Sequence, residues 1–380
     1  MTTFKNYLGY RLKKSLLSTV SFSLIALLIT VTTANEGVSY LEYGTKARTG
    51  IESLATIMCI VASIIPMLET DCFKNRRNLD TLYFLPLSRF KMALAHYISG
   101  LVQVFVIYTV AFAGHLLVLL KYAKYFRLQY MPLYYVLLLL LGVALYSIFI
   151  FLFGEANDTA DGVICVIMWI FALYLLSLVA IIPIRNYVYH YVYNGRVDQA
   201  PEYFEFTRDL NNFTAWFIPY TPVNNLTVVF QDIMEGTIKY VEYPGEKFEE
   251  LVSVHVWPTF REVIETRYPQ WYMAFLPVIA GIAGVFGYFH TFTRKGAEKA
   301  GEVSSSWFCY KVLIPSYGFV CFAVSGFFNV AFFLTVAGMY LAYAIYRKSF
   351  KIRKADVFAM VGTTAASLAF LIIDSIVFAG

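Results

Sequence analysis

The chain has 380 residues, of which 59% are hydrophobic, 18% aromatic and 14% charged, and its formal net charge is +5. A soluble domain is about 45–50% apolar and about 25% charged; this composition, with a mean hydropathy of +0.62, excludes an ordinary soluble fold and points to the membrane class. The basic residues stand in short clusters beside apolar runs, where they set orientation, and call for no nucleic-acid partner.

Phe4, Tyr7, Leu8 and Leu12, interspersed with Lys5, Arg11, Lys13 and Lys14, predict an amphipathic elbow on the inner leaflet. The run Leu16–Val31 is longer than the ~7–15 residues of a signal h-region and is followed by no A-x-A site. It is expected to be a retained first span, about 15–33, with the N-terminus cytoplasmic. The second span is expected at about 50–68, with Pro66 near its end. A charged stretch, Glu69–Lys91, follows, and then a third span at about 92–120. The loop 121–130 carries Lys121, Lys124 and Arg127, against the positive-inside rule if it lies outside. The fourth span, about 131–153, leads to an acidic loop with Glu155, Asp158 and Asp161, a second departure from that rule. Simple alternation is kept because the stronger basic clusters agree with it.

A fifth span at about 163–184 precedes a long polar region, 185–270, in which twelve acids face seven bases. This region is placed outside the cell. Within it, Tyr187, Tyr189, Tyr191 and Tyr193 alternate at period two, the stretch 213–234 reads as an amphipathic or re-entrant piece, and 248–268 reads as a surface helix. The sixth span is expected at about 273–289, followed by a basic loop with Arg294, Lys295 and Lys299. The apolar run Val312–Tyr346 would extend ~52 Å as one helix, against a hydrocarbon core of ~30 Å, so it is divided near Ser325–Gly326 into spans seven and eight. Arg347, Lys348, Lys351, Arg353 and Lys354 form the strongest inside signal, before a last span at about 357–377. The expected fold is an all-α polytopic membrane protein of about nine transmembrane helices, in the cell membrane. Its expected divisions are 1–184, 185–270 (extracellular), 271–309 and 310–380 (additional spans).

The chemistry of the chain is sparse. No Gly-Lys dipeptide exists, so no Walker A loop can wrap a phosphate; H-E-x-x-H and G-x-S-x-G are also missing. Cys59, Cys72, Cys165, Cys309 and Cys321 show no metal-ligand spacing, and none lies in 185–270, so neither a metal site nor an external disulfide framework is expected there. No catalytic residues and no cofactor in this chain are expected. His115 and Asp374 are candidate intramembrane ionisable groups, with interfacial snorkelling or a local hydrogen bond as the plainer reading. Gly281, Gly284 and Gly287 stripe the sixth span at period three, which suits close helix approach; His115, Gly281 and Gly284 are the candidates for lining a substrate path. Two sequons, at Asn212 and Asn225, also lie in the polar region.

The stretch Glu69–Lys91 is the most distinctive. Residues 72–85 favour a helix that Pro86 ends, and Ser88 is placed to N-cap the third span. Its basic excess (Lys74, Arg76, Arg77, Arg89 and Lys91) places it on the cytoplasmic side. It serves either as a solvated helix holding two spans in register or as a docking knob for a cytoplasmic protein.

The sequence FKNRRNLDTLYFLPLSRFKMALAHYISGL, just after Glu69, resembles the first cytoplasmic loop of exporter-type ABC transporter permeases. Arg76, Arg77, Asp80, Leu85, Pro86, Ser88, Arg89 and Lys91 carry the match. The loop TRKGAEKAGEVSSSW is similar to one found in a Gram-positive branch with extra C-terminal spans; Arg294, Lys295, Ala297, Ala300 and Gly301 carry it, with Glu298 one residue late. The resemblance implies a permease half that pairs with a second copy or a sister permease. It also implies two separate ATPase subunits, holding ATP and Mg, docked through Glu69, Phe73, Arg76, Arg77, Asp80, Leu82, Tyr83, Pro86 and Arg89. The long polar region and spans seven to nine depart from the family and point to specialised export. The alternatives are an ion-coupled carrier or channel, and a receptor or scaffold that binds ligand through 185–270.

Overall fold

A computed structural model describes residues 4–39, 48–74, 86–188, 218, 220–242, 251–259, 261–263, 275–294, 302, 306–325, 330–347 and 349–379. The protein is an all-α polytopic membrane protein, and among the described residues nine helices are long and apolar enough to cross a membrane. In chain order they are α1 (Phe4–Ser39), α2 (Glu52–Thr70), α3 (Arg89–Leu120), α4 (Met131–Glu155) and α5 (Thr159–Tyr187), then α7 (Phe275–Arg294), α8 (Val312–Ser325, which reaches spanning length together with the turn from Trp307), α9 (Val330–Arg347) and α10 (Lys354–Ala379). A π-helical turn, Trp307–Lys311, leads into α8. A shorter helix, α6 (Thr221–Glu235), and a hairpin of β1 (Thr237–Glu242) and β2 (Leu251–Val256) lie between α5 and α7.

The chain forms two compact units, each assembled from separated segments. One holds Met1–Glu69, Leu85–Ile150 and Tyr220–Phe289; the other holds Thr70–Phe84, Phe151–Pro219 and His290–Gly380. The divisions expected from the sequence followed chain order, whereas the internal contacts interleave distant segments.

In the first unit α1 packs along α3. Thr30 Oγ1 donates to Ala111 O across that contact at 3.2 Å. The expected elbow and first span are one continuous helix, because no breaker stronger than Gly9 stands between Phe4 and Ser39. Ser88, with φ −64° and ψ 147°, caps α3 as expected, its Oγ accepting from Lys91 N at 3.4 Å. The stretch 213–234 resolves into α6, which has Pro222 in its first turn and ends at Gly236, where φ is 67°. Val223, Thr227, Phe230 and Met234 recur at helical spacing and are all buried. The Glu235 carboxylate anchors the end of α6 by accepting from Thr49 N at 2.6 Å and from Thr49 Oγ1 at 2.7 Å.

The surface helix expected over 248–268 is corrected in part, because residues 251–256 form strand β2, paired antiparallel with β1 from Thr237↔Val256 to Glu242↔Leu251. The reason lies in LVSVHV, where β-branched Val returns at every second position. The tyrosine alternation lies outside the described residues beyond Val188, and so does most of the acidic stretch.

In the second unit α8 is the central helix. Val320 and Ala323 pack with Val179 of α5 and Phe370 of α10, while Ile314 and Phe322 pack with Met339 and Tyr343 of α9. Cys165 Sγ of α5 lies 3.1 Å from Cys309 Sγ of the π-helical turn, and the two are not joined in a disulfide. The helical hairpin expected near Ser325–Gly326 takes the form of α8 ending at Ser325 and α9 starting at Val330.

Candidate functional site

The last turn of α2 carries Glu69, whose side chain is turned into the first unit and only 2% exposed. Its carboxylate gathers donors from two other helices. Arg11 Nη2 of α1 donates to Oε2 at 2.6 Å. Ser99 Oγ and Gln103 Nε2 of α3 donate to Oε1 at 3.1 and 2.5 Å. His96 Nδ1 lies 2.9 Å from the backbone oxygen of Glu69 and 3.2 Å from Oε2. Both of those neighbours are acceptors, so Nδ1 carries the proton. Nε2 is then the acceptor for the Tyr7 hydroxyl, 2.9 Å away.

Helical spacing brings these groups together. Tyr7 and Arg11 are four residues apart on α1, and His96, Ser99 and Gln103 fall at i, i+3 and i+7 on α3. Tyr7, Arg11, His96, Ser99 and Gln103 are all buried. A buried carboxylate is tolerated only when it is paired and hydrogen-bonded, and here one guanidinium and several neutral donors meet that need. The arrangement is a structural lock: it fixes the end of α2 against α1 and α3, next to the charged segment. Its groups are enclosed and hydrogen-bonded to one another.

The chain then passes from the first unit to the second, at Thr70. A short 3-10 turn, Asp71–Phe73, follows. In the second unit Thr159 Oγ1 donates to Asp71 Oδ1 at 2.6 Å. Phe73 sets its ring edge-on to Phe292 at 4.6 Å between centroids. Lys74 is buried; its Nζ donates to Phe153 O at 2.6 Å and lies 3.3 Å from the centroid of the Phe153 ring. Nearby in sequence, the Glu155 carboxylate accepts from Thr291 Oγ1 at 2.5 Å and from Ser306 Oγ.

The residues singled out from the sequence therefore separate. The Glu69 side chain is buried and its hydrogen-bond partners direct it inward. Phe73 is half-buried against Phe292, while Pro86 and Arg89 are exposed. Arg76, Arg77, Asp80, Leu82 and Tyr83 lie outside the described residues. Of the path candidates, Gly281 and Gly284 stand where α7 meets α4, and His115 faces α1. A Cβ on Gly281 would lie 2.7 Å from Ala144 Cα, and one on Gly284 would lie 2.6 Å from Ser147 O, so both glycines let α7 approach the backbone of α4. His115 is buried and bonds to α1, with Nδ1 3.2 Å from Thr30 O. Among the described residues no group of three His, Cys, Asp or Glu side chains is placed to hold a metal ion.

Tyr7, Arg11, His96, Ser99 and Gln103 are the site residues that sequence reasoning missed. The available signal was a polar stripe on α3 and a basic residue four positions from a tyrosine on α1. No family model, curated protein or solved structure matches the chain.

Proposed function

We propose that this chain is the membrane permease subunit of an ATP-driven ABC exporter, with its N-terminus and the segment 69–91 on the cytoplasmic side. Separate ATPase subunits, carrying ATP and Mg, dock on that segment, and a second copy or a sister permease completes the translocator. The observation that carries the reading is the Glu69 lock. A segment that receives force must be fixed to the helices it moves, and Glu69 ties the end of α2 to α1 and α3 through Arg11, His96, Ser99 and Gln103. On the far side of the segment, Ser88 caps α3, so the same helix is held at both approaches. The absence of any Gly-Lys dipeptide agrees with ATP hydrolysis on another chain.

The test is copurification of the ATPase together with its hydrolysis rate. Arg77→Glu and Leu82→Asp are expected to abolish ATPase capture, or to disconnect hydrolysis from transport, while membrane insertion stays at the wild-type level. Capture and coupled transport unchanged in both variants would refute docking at this segment.

A further inference from the structure

We infer that the second unit carries a binding groove for a cationic amphiphile, a single long apolar chain ending in an amine or quaternary ammonium group. The groove runs between α5, α8 and α9 and has a volume of about 1090 Å³. Ligand pockets hold about 300–1,000 Å³ and are mostly apolar with a few placed polar groups; this groove lies just above that range and has the same mostly apolar lining. Met168, Leu313, Leu334 and Met339 are among its apolar walls. Ile164, Val324, Leu334 and Ile345 are more than 40% exposed, so its open side faces the hydrocarbon and a bilayer-dissolved molecule can enter laterally.

The polar features gather at one end. Asp161 is the single charged side chain among the described residues lining the groove, and it stands in the first turn of α5. The Tyr310 hydroxyl donates to Asp161 Oδ1 at 2.9 Å. The Tyr310 ring packs on Tyr346 at 4.4 Å between centroids, and both rings line the groove beside that carboxylate. A carboxylate at the end of an apolar groove that two tyrosine rings also line favours a cation, by charge and by the cation–π attraction such rings can add. Of the cations nearby, Arg347 is held by the Asp356 carboxylate, and the Lys74 ammonium, beside Gly162, donates to the backbone oxygens of Phe153 and Asp158. Anionic amphiphiles are repelled by the Asp161 carboxylate. This site is independent of the exporter reading, since binding needs neither ATP nor a partner chain.

The experiment is equilibrium binding of radiolabelled dodecyltrimethylammonium to the full chain in lipid nanodiscs, with empty nanodiscs as the reference. Neutral dodecyl maltoside serves as a probe with the same tail. The expected result is saturable binding of the cation above the empty-disc level, with the cation bound more tightly than the maltoside. Asp161→Asn should weaken the cation about tenfold and leave the maltoside unchanged. Gly338→Phe should weaken both probes, because Gly338 lines the groove and nothing stands within 4 Å of a Cβ there, so a larger side chain takes up groove volume. Equal binding to loaded and empty discs, equal affinity for the two probes in the unmodified chain, or unchanged cation affinity in Asp161→Asn would each overturn the inference. The comparison of probes in the unmodified chain does not depend on any variant folding.

Discussion

Replacing Arg11 by Met removes the one guanidinium shown on the Glu69 carboxylate and keeps the length of the side chain. Glu69 is 2% exposed, so its charge cannot recover water in place of Arg11. Breaking a buried pair in this way costs about 3–5 kcal/mol. Ser99 and Gln103 still donate, but neutral donors do not cancel a buried charge. Glu69→Gln makes the opposite error, stranding the guanidinium, and carries a similar cost. The double variant removes both charges at once. It should therefore fall short of the sum of the two singles by at least about 2 kcal/mol. The assay is reversible unfolding in mixed micelles, titrated with sodium dodecyl sulfate and followed by circular dichroism. Additive losses across the cycle would show that Arg11 and Glu69 do not act as a pair, and the lock would lose its electrostatic basis.

Gly284→Val should destabilise the first unit by about 1–3 kcal/mol, because its Cβ meets the backbone oxygen of Ser147 at 2.6 Å, whereas Gly338→Ala should be neutral or stabilising, since nothing stands within 4 Å of a Cβ there; thermal midpoints of the two variants check the contrast, and equal losses would refute it. Diamide should join Cys165 to Cys309, whose sulfurs lie 3.1 Å apart, so that two of the five cysteines escape maleimide labelling after denaturation; full labelling of all five would count against the α5 contact with the π-helical turn.

The spans were legible because each is an apolar run of about the length the hydrocarbon core demands, and that signal is local. The Ser88 cap was legible for the same reason, since Leu-Pro-Leu-Ser ahead of a charged first turn is a short-range pattern. The lock was not legible. Its members sit 58 residues apart for Arg11 and Glu69 and 34 apart for Glu69 and Gln103. Arg11 reads as one of several inside charges, and His96 as one of five scattered histidines. Only the packing of α1 and α3 on the end of α2 joins them. The β2 strand was missed because the glutamates around it favour a helix, and a six-residue Val alternation is a weak signal beside them. The glycine stripe was visible, but what faces it was not: the backbone of α4 at Ala144 and Ser147 stands against two of its members.

These contacts also change what the charged segment is expected to do. In the sequence, Glu69 stands among the docking candidates; in the structure its side chain is buried and faces inward. Lys74, five residues on, is anchored in the second unit by Phe153. Between them the chain is short and wound, with Lys74 N donating to Asp71 O at 3.0 Å. A stretch of five residues spans at most ~18 Å when fully extended and about 10 Å in 3-10 form, so it holds little slack. Under the proposed function, a displacement of the docked segment by more than several Å must unwind this turn, break the Lys74 anchor or move α2. The Glu69 lock resists the last of these unless α1 and α3 move with α2. Charge-neutral loosening of the lock, as in the Arg11→Met, Glu69→Gln double variant, should therefore leave ATPase capture intact and lower transport per ATP hydrolysed. Capture lost together with transport would place the defect in assembly instead and remove the lock from the path of force.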